Sequence, residues 1–177
     1  MSDTPEFSRP IKLDSLSSQA RAVAIEADEA ERVALAARFD LIAVDRLQAT
    51  VELIRDGDTI DTMGRLSADV VQSCVASAEP VLAHIDETFQ LRFVPDAMFE
   101  SAAEEVELSE NDCDVVGYSG ATIDLGEAVA ETLALALDPF PRSPNADAAL
   151  REAGVLDEED AGPFSALKAL KEKLGKD

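Results

Sequence analysis

The chain has no tryptophan, a single tyrosine, a single histidine and only two cysteines among its 177 residues. Two thiols, Cys74 and Cys113, cannot build the disulfide framework of a small secreted domain and fit a reducing compartment. No apolar run approaches the length that spans a bilayer, and Met1 to Pro10 has neither a secretory apolar core nor an arginine-rich amphipathic pattern. The expectation is a cytoplasmic protein. The eight glycines never cluster into a phosphate cradle before a helix, which argues against nucleotide binding. Bases are also scarce: 15 of them face 37 acids, a net charge of −22. Such a surface repels phosphate backbones and anionic lipid, so it disfavours direct nucleic-acid or membrane binding and suits a basic protein partner. Acids in this number also keep a protein soluble and monomeric, and a monomer is expected.

What is present is ordinary for a folded chain, with 46% hydrophobic and 29% charged residues. Phe7, Arg9, Ile11 and Leu13 alternate with Ser8, Pro10 and Lys12, predicting a short edge strand, and Arg21, Val23 and Ile25 repeat the period of two. Asp28 with Glu31 forms a capping box, and Ala30, Val33, Ala34 and Ala37 make an apolar stripe for a helix ending near Phe39. Leu47, Ala49, Val51 and Leu53 then alternate with Gln48, Thr50 and Glu52. After the Asp56-Gly57-Asp58 turn, Ile60, Gly64, Leu66, Ala68 and Val70 continue the pattern. A third run follows Pro80 with Val81, Ala83, Ile85, Phe89, Leu91 and Phe93. These three runs read as a meander.

Pro95 to Asp114 is densely acidic and reads as a loop, followed by a short strand at Val115 to Tyr118. A second helix starts at Asp124 and Glu127, with Leu125, Ala128, Val129, Leu133, Ala136 and Leu137 inward, and stops before Pro139. An extended Pro139-Phe140-Pro141 arm and a polar stretch with local turns lead to Phe164, Leu167, Leu170 and Leu174, spaced as a last helix. The predicted class is therefore α+β: an antiparallel meander of four to six strands, able to close toward a barrel, packed by two main helices plus a short C-terminal helix. The expected organisation is one domain over residues 1–141, an acidic linker over 142–163 and a C-terminal helix with a basic tail over 164–177.

Catalytic chemistry finds little purchase in this sequence. His84 shares a strand face with Asp86, Thr88 and Gln90, opposite the apolar row, and has no evident partner for general-base work. No Gly-x-Ser-x-Gly elbow is present, and the Tyr118-Ser119-Gly120 turn does not replace one. Paired carboxylates arise by chance in so acidic a chain. Cys74-Val75-Ala76-Ser77 has the spacing of half a zinc knuckle with a hydroxyl in place of the second thiol. Even with Cys113 and His84 it cannot supply four sulfur or imidazole ligands, so neither a metal nor any other cofactor is expected.

Three segments together resemble the YceD family, the large ribosomal RNA subunit accumulation proteins. The first is Cys74-Val75-Ala76-Ser77-Ala78-Glu79-Pro80, similar to a Cys-x-x-Cys-Leu-Glu-Pro turn of the family. The second is Ile123-Asp124-Leu125 with Glu127, Glu131, Leu133, Leu135, Pro139 and Pro141, which resembles its acidic helix and proline exit. The third is Gly162-Pro163-Phe164 with Leu167 and Leu170. The resemblance implies a role in synthesis, processing or stability of 23S ribosomal RNA in bacteria without a known catalytic activity. Members are commonly encoded beside the gene for ribosomal protein L32. Many carry a second cysteine in the first motif and more after the proline exit, where this chain has Ser77 and Arg142-Ser143-Pro144.

The reading that follows is a non-enzymatic ribosome-biogenesis factor that binds a basic ribosomal protein, L32 among the candidates, or a large-subunit precursor, and touches RNA indirectly. Asp124, Glu127, Glu131, Pro139 and Pro141 are the candidate partner contacts. Glu127 and Glu131 lie one turn apart, and two like charges at that spacing cost a few tenths of a kcal/mol unless something else engages them. Two alternatives stand beside this reading. One is an RNA-binding module using Lys168, Lys171, Lys173 and Lys176 of the tail. The other is a metal-dependent hydrolase or nuclease built on the acidic cluster.

Overall fold

The structure, a computed structural model, describes residues 5–98 and 114–155. Two compact units emerge, the larger from the described residues up to Gln72 with Leu82–Pro139, the smaller from Ser73–Val81 with the described residues from Phe140. The expected acidic loop over most of 95–114, Cys113 and the C-terminal helix fall outside the described residues.

Five strands form one sheet in the order β2-β3-β4-β5-β6: β2 (Arg21–Glu26), β3 (Ala43–Asp56), β4 (Thr59–Ser73), β5 (Pro80–Pro95) and β6 (Asp114–Tyr118). The alternation of the sequence explains why β3 and β4 are so long. Leu47, Ala49, Val51 and Leu53 are buried on one face while Gln48, Thr50 and Glu52 stand in solvent on the other, a pattern that a one-residue slip would invert. The tight β3–β4 hairpin is closed by Gly57 at φ +63°, a left-handed position at which a side chain costs roughly 1–2 kcal/mol. Across β4 and β5, Asp61 meets Arg92 and Asp69 meets His84, which fixes an antiparallel register. At its centre the Phe89 ring lies over Gly64, so close that a Cβ there would come within 2.4 Å of the ring.

The sheet differs from the expected meander at its far edge. β6 pairs parallel to β5, Leu91 opposite Asp114 through Pro95 opposite Tyr118. The described strands do not close into a barrel, and β2 and β6 are the two edges of an open sheet. The first strand also differs: β1 is only Pro10–Lys12 and pairs with β7 (Thr122–Asp124) in a separate two-stranded ladder. Pro10 stands at its first residue, where a missing N–H disturbs the ladder least.

Two helices complete the inner face of the sheet: α1 (Glu29–Arg38), which packs on β3, and α2 (Leu125–Ala136). Leu35 and Ala36 of α1 join Leu125, Ala128, Val129, Ala130 and Leu133 of α2 in the core with Leu47, Leu66, Phe89 and Phe93. Each fully buried leucine contributes about 2 kcal/mol by leaving water. The predicted capping box of α1 is present: Asp28 accepts from Glu31 N and Glu31 accepts from Asp28 N. Its predicted inward stripe is present only at Ala34, which is half-buried; Ala30, Val33 and Ala37 are exposed, and Leu35 with Ala36 faces the sheet instead. An alanine-rich helix offers two apolar faces, and the Leu35 side chain gains more from burial than any one of Ala30, Val33 and Ala37.

In the smaller unit, the stretch expected to form only turns contains α3 (Ala146–Glu152). Here the chain between β4 and β5 turns through Ala78, a non-glycine at φ +56°. Cys74 N donates to Glu79 O at 2.8 Å, and Ala78 N donates to Cys74 O at 2.9 Å, which together hold the turn.

Candidate functional site

The candidate contacts on α2 begin with Asp124, and its carboxylate has internal work. It accepts from Gly126 N and Glu127 N at the helix start, from Arg9 N at 2.8 Å and from Ser8 Oγ at 2.5 Å. A carboxylate at that position satisfies the orphan amides of the first turn and complements the helix dipole, worth about 1 kcal/mol. Here it also fastens the N-terminal segment to the helix. Glu127 is likewise engaged, accepting from both guanidinium nitrogens of Arg38 at 2.7 and 2.9 Å, and Arg38 reaches Glu6 as well. These carboxylates push the Arg38 guanidinium pKa up, the bond to Glu127 first. Arg38 therefore neutralises Glu127, and the repulsion that the Glu127–Glu131 spacing implies is relieved inside the protein. Glu131 and Pro139 are exposed, as is Leu135, whereas Pro141 is buried and its carbonyl accepts from Val75 N.

The Cys74 motif occupies the smaller unit. Cys74 is buried, and its Sγ accepts from Ser143 N at 3.2 Å and Ser77 N at 3.4 Å. Those two donors, Ser143 first, lower the thiol pKa to about 6 against the pull of burial. Beside it the Glu79 carboxylate takes hydrogen bonds from Ser143 Oγ at 2.6 Å, Asn145 Nδ2 at 3.1 Å and Ser77 Oγ at 3.2 Å. They hold its pKa below the usual carboxylate range, with Ser143 again the largest cause. One thiol, one carboxylate, two hydroxyls and an amide, already bonded to one another, do not fit the sulfur and imidazole set of a structural zinc. Among the described residues no group of three or more His, Cys, Asp or Glu side chains is placed to hold a metal.

Sequence reasoning missed this cluster because Ser143 and Asn145 lie 64 or more residues from Glu79. The only signal was that Ser77 and Ser143 fall in the two segments where the family resemblance implies cysteines. His84, for which the sequence offered no partner, has one in the structure: its Nδ1 lies 2.6 Å from Asp69, which Arg46 also engages. The pair stands half-exposed on the outer face of the sheet, without the water-excluded surroundings that acid–base catalysis exploits.

That outer face is a charge ladder. Arg46 pairs with Asp69, Arg65 with Asp86 and Arg92 with Asp61. Together with Arg9, Arg38, Arg55 and Arg142, seven arginines among the described residues stand in ion pairs. The fold and these clusters define an acidic α+β protein with a one-sided open sheet, its clustered polar groups bonded to one another. The model for "Large ribosomal RNA subunit accumulation protein YceD" matches residues 62–171, and the chain belongs to the YceD family. No curated protein and no solved structure matches it. Among the described residues no helix is long and apolar enough to cross a membrane.

Proposed function

We propose that this chain is a cytoplasmic, non-enzymatic ribosome-biogenesis factor that promotes accumulation of 23S ribosomal RNA by binding a basic ribosomal protein or a large-subunit precursor. Family membership supplies the role in large-subunit RNA accumulation. The observation that carries the mode of action is the pairing of arginines on the outer sheet face, each held by an aspartate of a neighbouring position. A cation already bonded to a carboxylate gains less from a phosphate, because the existing pair must first be broken. The surplus acids remain for a cationic partner.

Glu131 is the best placed of the candidate contacts, since it is exposed while Asp124 and Glu127 serve the fold. Pro139 flanks the end of the same helix. Ribosomal protein L32 is the first partner to test, with the chain as a monomer. Affinity purification of the tagged chain from growing cells, reading protein and RNA together, should recover large-subunit components in a salt-sensitive manner. An eluate without any ribosomal component would overturn the proposal.

A further inference from the structure

The exposed side of α1 carries apolar residues that the core does not use. Ala30, Val33 and Ala37 follow one another at helical spacing, and Val33 is 67% exposed. Next to them Ile42, at 54% exposure, and the half-buried Leu41 lead into β3, so that a shallow groove runs between the helix and the start of the strand. A second shallow concavity on the same helix is lined by Asp28, Glu29, Ala30 and Val33. Leu82 and Leu135 are exposed as well, at 80% and 83%, but Val33 and Ile42 lie together along a groove, and contiguous apolar strips of this kind mark interaction sites. Three acids rim it, Asp28 and Glu29 at the helix start and Asp45 on the strand side. The one base on the rim, Arg32, donates to the Ala27 carbonyl at 2.8 Å and is thereby drawn to the start of its own helix.

We propose that this groove is a docking surface for a cationic amphipathic segment of a partner protein, its apolar side on Val33, Ala37 and Ile42 and its lysines or arginines toward Glu29 and Asp45. The proposal rests on the reading of the chain as a binder of basic protein and gives that reading a place. Charge selects the occupant. A second copy would set Glu29 and Asp45 against the same acids of its twin, and RNA or an anionic membrane would meet an acidic rim. A cationic segment with apolar residues spaced by three and four satisfies both the strip and its border, in the manner of helix-in-groove recognition.

The test uses the full chain in growing cells, with a benzophenone amino acid at position 33 or 42 and, as control, at the exposed position 52 on the sheet's outer face. Irradiation should give adducts at 33 and 42 but not at 52, the captured peptide carrying lysines or arginines around apolar residues. The double change Glu29→Lys with Asp45→Lys should lower the yield at least ten-fold. No adduct above the control, or an adduct to a second copy, to RNA or to lipid, overturns the proposal. Val33→Asp with Ile42→Asp separates it from the functional reading. If that variant folds with an unchanged melting temperature and still retains large-subunit components, the groove is not the site and the functional reading stands. If the cross-linked cationic partner is unrelated to the ribosome, the groove stands and the functional reading falls.

Discussion

Substituting Gly126→Ala sets two effects of opposite sign against each other. Alanine is the better helix former by about 1 kcal/mol in a helix interior, and Gly126 sits in the first turn of α2, so propensity alone predicts a gain. A Cβ at this position would, however, lie 2.3 Å from the Phe7 carbonyl oxygen, 2.9 Å from its carbon and 3.0 Å from Arg9 N. These are backbone atoms that no rotamer change can move. Opening the approach to ordinary contact requires a shift of about 1 Å between helix and N-terminal segment. The bonds from Ser8 Oγ and Arg9 N to Asp124, and from Leu125 N to Arg9 O, all cross that seam. At about 1 kcal/mol for each of three strained bonds, and with the fully buried Phe7 displaced, the loss exceeds the propensity gain by roughly 2–3 kcal/mol. For a chain of this size the midpoint of thermal unfolding should fall by roughly 5–10 °C. Circular dichroism melting of the two proteins measures it. A midpoint equal to or above that of the parent would refute the claim that the helix start is packed on the Phe7–Arg9 backbone.

Glu127→Lys should destabilise by about 1–2 kcal/mol, since it sets a cation against Arg38, whereas Glu131→Lys should leave the melting midpoint unchanged and weaken recovery of ribosomal components. Equal effects of the two on stability would contradict the assignment of Glu127 to the fold. In a Cys113→Ser background the ultraviolet thiolate absorbance of Cys74 should titrate near pH 6, and a midpoint in the ordinary thiol range would refute the hydrogen-bonded sulfur. Because its folded pKa of about 6 lies below the ordinary thiol value of 9.0, this thiol contributes stability that is full above pH 9.0 and lost as pH falls through 6. Glu79, also lowered, contributes above its ordinary value of 4.5 and loses that contribution in stronger acid, so Glu79→Gln should raise protease sensitivity of the Cys74 turn at neutral pH and abolish the acid-side change.

The parts of the fold that were legible in the sequence are those where one period served one buried face. Leu47 through Leu53 and Ile60 through Val70 could bury only one way, and the Asp28–Glu31 box announced its helix. The stripe of α1 misled because alanines give a helix no strong side, and Leu35 decided the matter through packing that no local pattern encodes. The parallel placement of β6 was hidden by its shortness and by the acidic stretch before it. At α2 the residue types Asp124 and Glu127 were readable, but their role was not, since Arg38 and Ser8 lie 89 and 116 residues away. Glu79 carries no local signal beyond its place in the Cys74 motif, and its partners Ser143 and Asn145 come from a stretch without periodicity.

Whether the chain reaches ribosomal RNA through a basic protein is decided by capturing the tagged full chain from growing cells and treating the immobilised complex with ribonuclease before elution. A basic large-subunit protein should stay bound after the RNA is gone and leave only when the salt is raised. Release of every ribosomal protein with the RNA would contradict it.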